Sequence, residues 1–359
     1  MSTTQTTSLA KRWAELKRTN KALRIRDAAE RLNCSEAELV FSALANPELH
    51  EGFSVVRLMS EPASIFARIP ALGRVMALTR NDAVVSETYG EYGEIDAHGN
   101  VAVVHTEGID LRVDFSHWHH CFAVTMSSPA RTLRGLQFFD ADGQAVHKVY
   151  LTEDSDPATY DAIVSDLAHP DPWAPLELSA ARPTPDTRGG NEVDDAVLRD
   201  GWAALTNVHQ FTALLARLKV NRLTALRHVG PRWALPGRPD AHRALLERVR
   251  DSGVPIMVFV RSPGCTQIKS GSVARLMENG EYFNVFDPEF HLHIREPRLH
   301  EAWVVRKPTA GDTVTSVEIY AEDGELVLQF FGVRGEDGRE DLNWREVAEA
   351  MAADPSTVR

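Results

Sequence analysis

An internal repeat constrains this chain more than any other feature of its sequence. Laying Gly143 of FFDADG on Gly324 of IYAEDG gives an offset of 324 − 143 = 181, and the alignment runs on without a gap. Leu111 then falls on Leu292, Val124 on Val305, Thr132 on Thr313, Asp142 on Asp323, Val146 on Val327 and Tyr150 on Phe331, with Arg80 on Arg261 upstream. Apolar positions agree more often than identities do, as expected of two halves that share one set of inward-facing positions. A solenoid would repeat at a shorter period.

Each half shows helical periodicity first, at 8–19, 26–33 and 35–45 and then at 193–205, 208–220 and 239–251. Alternating strand segments follow, and DLNWREVAEAMAA closes the second half as a helix. The DADG and EDGE segments predict hairpin turns with glycine where a positive φ is needed. The class is α+β: a tandem duplication in which each half is a large antiparallel β-sheet with several packed α-helices. The Pro- and Gly-rich stretch at 176–192 separates the halves, giving repeats at 1–178 and 193–359 with a linker at 179–192. Alternating βαβ units and Gly-rich phosphate loops are missing, which removes a dinucleotide-binding domain.

Charge narrows the partners. With 39 basic and 51 acidic side chains the net charge is -12, so the chain repels phosphate backbones and anionic lipid, and nucleic acid is not an expected partner. Cys34, Cys121 and Cys265 show no CxxC spacing, against a zinc site or disulfide framework. The start lacks a signal-peptide core, and no segment reaches the roughly 20 apolar residues of a membrane span. The expectation is a cytoplasmic protein without membrane insertion.

The segment TNVHQFTALLARLKV opens with Asn207 and places Gln210 three residues on, which predicts a capped helix start. Phe211, Leu214, Leu215 and Leu218 form its buried stripe. His209 lies on the other side, where Thr212, Ala213 and Ala216 are all small, so a planar macrocycle could lie against a low surface beside a neutral imidazole. A surface histidine in a first helical turn fits the same pattern, and periodicity does not decide. Carboxylates entering a partly dry cleft need cations; Arg222, Arg306 and Lys307 are candidates, although each also reads as a solvated charge. Arg112 alternates with Ile109, Leu111, Val113 and Phe115, so it projects from the polar side of a strand, toward a cleft between halves or into an ion pair with Asp110 or Asp114. Tyr150 and Phe331 end matching strands and suit either the walls of a flat ligand or the core. His117, His119 and His120 in HWHH fit no metal signature and read as a surface turn. RDAAERLNCSEAELV has the rhythm of a helix-turn-helix, but its acidic second helix favours a structural pair. No CxxCH is present, so covalent haem attachment is excluded.

Together RDAAERLNCSEAEL, TRN at 79–81, IDLRVDF with the following HW, LQFFDADGQAVHKVYLT, TNVHQF, NRLTALR, FNVFDPEFHLHIRE and EAWVVRKPT resemble the bacterial haemin-degrading factor (HemS/ChuX-type) family over almost the whole chain. The resemblance implies a cytoplasmic haem-trafficking protein with two homologous halves and one haem b held mainly by the second. It implies His209 as the axial iron ligand, Arg112 on the distal side, and Arg222 and Lys307 on the propionates. Where some relatives carry a tyrosine the chain has Phe331, so a hydroxyl contact is lost there. The implied partners are haem, a haem-uptake ABC transporter and a haem oxygenase. Two further readings stay open: a haem-degrading enzyme using an external reductant, and a module for another flat apolar ligand or a protein partner.

Overall fold

The computed structural model describes residues 3–20, 23–128, 131–179, 193–335 and 338–353. The linker expected at 179–192 lies outside the described residues except for Ser179. The chain forms two compact units, one of Met1–Arg80, Glu87–Arg182 and Arg261–Gln267, the other of Asn81–Ser86, Pro183–Val260 and Ile268–Arg359.

The first unit begins with α1 (Thr3–Thr19), α2 (Ile25–Leu32) and α3 (Glu36–Ala45). Then come β1 (Phe53–Leu58), α4 (Pro62–Phe66), β2 (Gly73–Arg80), β3 (Val84–Gly90), β4 (Ile95–His98), β5 (Val101–His105) and β6 (Asp110–Asp114). The hairpin strands β7 (His120–Ser127), β8 (Thr132–Phe139) and β9 (Ala145–Ser155) lead into α5 (Pro157–Asp166). Strands pair antiparallel in the order β1-β7-β8-β9-β2, and β4-β5-β6 form a meander.

The second unit repeats the plan with α6 (Asp195–Ala203), α7 (Gln210–Leu218), α8 (Arg222–Val229), β10 (Ala234–Pro236) and α9 (Ala241–Ser252). The strands that follow in chain order are β11 (Ile256–Ser262), β12 (Cys265–Gly271), β13 (Leu276–Asn279), β14 (Tyr282–Asp287), β15 (Phe290–Arg295), β16 (Glu301–Thr309), β17 (Asp312–Tyr320) and β18 (Leu326–Gly332), with Arg261–Gln267 of β11 and β12 counted in the first unit, and α10 (Leu342–Glu349) closes the second. The pairing is again antiparallel, β10-β16-β17-β18-β11 and β13-β14-β15. Among the described residues no helix is long and apolar enough to cross a membrane.

The repeat holds in register, strand by strand. Leu78, Lys148, Gln137 and Phe122 form one cross-strand row in the first unit. Phe259, Gln329, Glu318 and Trp303, each 181 residues later, form the same row in the second. The ladder slips at Phe138/Phe139 and again at Ile319/Tyr320, the same offset. Gly143 and Gly324 take φ of 79° and 83° at the two turns, the left-handed conformation glycine adopts without strain. The helices repeat as well, at an offset of 186: Asn33 and Lys219 are left-handed C-caps, and Ser35 and Asn221 are N-caps whose side chains accept backbone N–H bonds.

Each unit buries two cores. One face of the first sheet packs under α1–α3 through Leu9, Trp13, Phe41, Phe53 and Phe139, and the corresponding face of the second packs under α6–α8 through Leu198, Trp202, Phe211, Trp303 and Tyr320. The opposite faces hold separate clusters around Phe66, Leu111 and Phe138 in the first unit and Leu245, Phe330 and Trp344 in the second.

Some elements differ from the sequence expectation. α4 starts on Pro62 and is five residues long, too short for a periodic signal. α8 buries Leu223, Thr224, Ala225, Leu226 and Val229, so no polar face marks its period. The HWHH run is a surface turn only in part: His119 is exposed, but Trp118 is buried against Phe66, Phe115 and Phe138, and its Nε1 donates to the carbonyl of Gly264 at 3.0 Å. The acidic Glu36 of α3 is also buried, and Lys148 Nζ donates to it at 2.6 Å.

Candidate functional site

α7 starts as its sequence dictates. Gln210 Oε1 accepts the backbone N–H groups of Thr206 at 2.9 Å and Asn207 at 3.3 Å, while Asn207 Oδ1 accepts that of His209 at 2.9 Å. These side chains satisfy donors that a helix start leaves open. His209 is the residue before α7, with helical φ and ψ of -68° and -22°, and it is exposed. Thr212, Ala213 and Ala216 are exposed beside it, while Phe211 and Leu214 point inward and Leu215 and Leu218 are half-buried. The expected two-faced helix is therefore present, with an imidazole standing on a low rim.

Packing fixes that rim from behind. Trp202 of α6 meets Phe211 edge-on at 4.7 Å. Gly201 lets α7 approach, since a Cβ there would lie 2.6 Å from Leu214 Cδ1. The Thr206 carbonyl accepts the N–H of Ala310, in the β16–β17 turn, at 2.9 Å.

Beside α7 the sheet carries a charged hub on Glu318, which has no solvent exposure. Arg222, the first residue of α8, donates to it twice, Nε to Oε2 at 2.8 Å and Nη2 to Oε1 at 2.5 Å. Lys307 Nζ, Ser316 Oγ and Gln329 Nε2 donate to Oε1 at 3.0, 3.0 and 3.2 Å, and the Tyr320 hydroxyl donates to Oε2 at 2.7 Å. Burial alone would raise the carboxyl pKa, but the charges of Arg222 and Lys307 outweigh it and hold Glu318 well below the usual range. The same hub raises Tyr320 well above an ordinary phenol, through burial first and the adjacent carboxylate second. Both cations also lie over the Phe211 ring, Lys307 Nζ at 4.8 Å and Arg222 Cζ at 5.0 Å from its centroid. The hub thus backs onto the helix that presents His209.

On the same sheet face, Phe331 packs on Phe259 with ring centroids 4.9 Å apart, and Met257 pairs with Phe331 across the ladder. All three are half-buried and form a flat apolar strip. Gln329 Oε1, in the row between Phe259 and Glu318, is buried without a hydrogen-bond partner among the described residues.

Five residues expected from sequence therefore belong to one unit, His209, Arg222, Arg306, Lys307 and Phe331, although Arg306 pairs with Glu349 and not with Glu318. Arg222 and Lys307 are not solvated charges; they converge on one carboxylate. Arg112 belongs to the first unit, half-exposed on β6 and ion-paired with Asp110, one of the two partners its strand alternation offered. Glu318, Gln329, Met257 and Phe259 belong to no motif and do not stand out in the sequence. The repeat held the signal, because offset 181 lays Glu318 on Gln137 and puts an acid at an inward-facing strand position.

The first unit lacks this arrangement. The helical offset of 186 lays Arg222 on Glu36 and His209 on Leu23, so no imidazole stands at the equivalent rim. Tyr150, the counterpart of Phe331, is a core residue whose hydroxyl accepts from Gln137 Nε2 at 3.0 Å.

The family described as the Haemin-degrading HemS.ChuX domain matches residues 22–167 and 219–351. The chain is 33% identical over 342 residues to the hemin transport protein HmuS of Yersinia pestis, covering 94% of this chain and 96% of that one. It is similar in structure to holo-PhuS, a heme-binding protein from Pseudomonas aeruginosa, with a TM-score of 0.89 and 38% identity over 97% of this chain and 99% of the other. It is also similar to the Escherichia coli heme degrading enzyme ChuS, with a TM-score of 0.88 and 31% identity over 97% and 100% of the two chains.

Proposed function

The chain belongs to the family of the haemin-degrading HemS.ChuX domain, and from that membership and the geometry of its second unit we propose that it binds one haem b per chain and passes it on in bacterial haem-iron utilisation. His209 is the axial ligand in this reading, and one observation carries it: an exposed imidazole on a face of small residues, at the head of the helix whose Phe211 lies under two cations, half-buried Arg222 and buried Lys307. Those parts suit a ferric porphyrin. The imidazole offers a nitrogen to iron, the strip of Met257, Phe259 and Phe331 offers apolar area, and Arg222 and Lys307 suit propionates. An exposed ligand on a helix rim also favours exchange, as a carrier requires. Leu23 in place of the imidazole argues for one site per chain.

The reading places the protein in the cytoplasm, receiving haem from an ABC importer and delivering it to a haem oxygenase. The test is a titration with haemin followed by absorption. A Soret band that saturates at one equivalent supports the proposal, and no band, or saturation at two equivalents, refutes it.

A second reading, direct ring opening, is favoured by the likeness to ChuS, a heme degrading enzyme. Arg112 is the residue that the family resemblance would assign to that chemistry, with electrons from an external donor. Ring loss that persists with catalase present supports this, and loss abolished by catalase indicates coupled oxidation only. A module for another flat apolar ligand would bind iron-free porphyrin as tightly as haem.

A further inference from the structure

We propose that Glu318 is an internal competitor for the ligand's carboxylates, set into the second unit to keep release fast. This rests on the haem reading above and adds a residue to it. Arg222 and Lys307, the cations that suit propionates, already donate three bonds to Glu318. Both cations keep further N–H donors for an arriving carboxylate, but Glu318 already offsets their charge, so the newcomer shares with it the attraction that each cation supplies. Its net attraction is then smaller than the two cations alone would give.

Two observations show that the acid is not demanded by the fold. The same register position in the first unit is Gln137, neutral, in an equivalent cross-strand row. The helix position that supplies Arg222 supplies Glu36 in the first unit, whose carboxylate accepts from Lys148 and also feels the charges of Arg80 and Arg26. The second unit has therefore exchanged the charges, with the acid on the strand and a cation on the helix. Access exists as well, because the Arg222 side chain is 21% exposed while Glu318 is sealed behind it. A ligand meets the guanidinium before it meets the acid.

The experiment uses the full chain loaded either with haem or with haem dimethyl ester, which keeps the ring and iron but has no carboxylate. Dissociation of each into excess apomyoglobin is followed in wild type, Glu318→Gln and Tyr320→Phe. Glu318→Gln installs the side chain that the first unit carries, and it should slow haem loss by about tenfold, the scale of one charge-assisted bond, while ester loss changes by less than about twofold. Tyr320→Phe removes a donor from Glu318 and leaves the acid a stronger rival for the cations, so haem loss should quicken by about threefold with the ester again unmoved. Equal changes for the two ligands, or faster haem loss in Glu318→Gln, would overturn the proposal and leave Glu318 a structural anchor. If Glu318→Gln does not fold, Tyr320→Phe decides: an unchanged ratio of haem to ester rates overturns it. A wild-type chain that gives no Soret band removes the haem reading itself and this proposal with it.

Discussion

Gln137 and Glu318 occupy the same row of the same ladder in the two units, yet Gln137 holds the hydroxyl of Tyr150 while Glu318 gathers Arg222, Lys307, Ser316, Tyr320 and Gln329. Duplication supplied two copies of one sheet face, and a change from amide to acid, together with the exchange of Glu36 for Arg222, made them chemically unlike. The chemistry of the second unit follows from that divergence.

The Arg222–Glu318 pair should behave as a coupled unit in stability. Arg222→Met strips the bidentate partner from a sealed carboxylate and should cost about 3–5 kcal/mol. In a Glu318→Gln background the same change should cost less by at least about 1 kcal/mol. Urea denaturation of the two single variants and the double variant measures this, and additive losses would show that the contacts are energetically independent.

Phe331→Tyr restores the hydroxyl that Tyr150 carries in the first unit. There the hydroxyl meets Gln137, so the new one should reach Glu318, the counterpart of Gln137. A stabilisation of about 1 kcal/mol is expected from the added bond. A fall of similar size, read by the same denaturation, would mean that the Phe259 ring leaves no room.

Acid should unfold the first unit through its buried histidines. Burial pushes His147 down to about 3, and His50 and His120 to about 4, each from 6.5. All three are thus held neutral when folded, and the unfolded chain takes up protons first. Their contribution is complete above pH 6.5 and is lost as pH falls toward 4, at up to about 1.4 kcal/mol per pH unit for each histidine. His147 sits between Thr79 Oγ1 at 2.8 Å and the Tyr92 hydroxyl at 2.5 Å, and its counterpart is Leu328. His147→Leu should lower the pH slope by one proton between pH 6 and 4. An unchanged slope would show that this ring does not titrate on unfolding.

The duplication, the α+β class and the helix that carries His209 were legible in the sequence, because register and amphipathic period survive as patterns of apolar residues. Gly143 and Gly324 announced the two turns through the one residue suited to positive φ. The hub was only half legible. Arg222 and Lys307 stood out as cations, but a charge in a sequence does not reveal its partner, and Glu318 was hidden within an apolar strand. α8 stayed indistinct because a helix buried on most sides has no polar stripe. Trp118 misled by its company: three histidines around it suggested a solvated turn, while the indole is anchored by a carbonyl contributed by distant Gly264.

Haem binding through the imidazole of His209 is tested most directly by comparing ferric haem complexes of wild type and His209→Ala by absorption before and after adding imidazole. The expected result is a histidine-ligated Soret band in wild type, its loss in the variant with the fold intact, and its return with free imidazole. A variant whose spectrum matches wild type without added imidazole would place the iron elsewhere and contradict it.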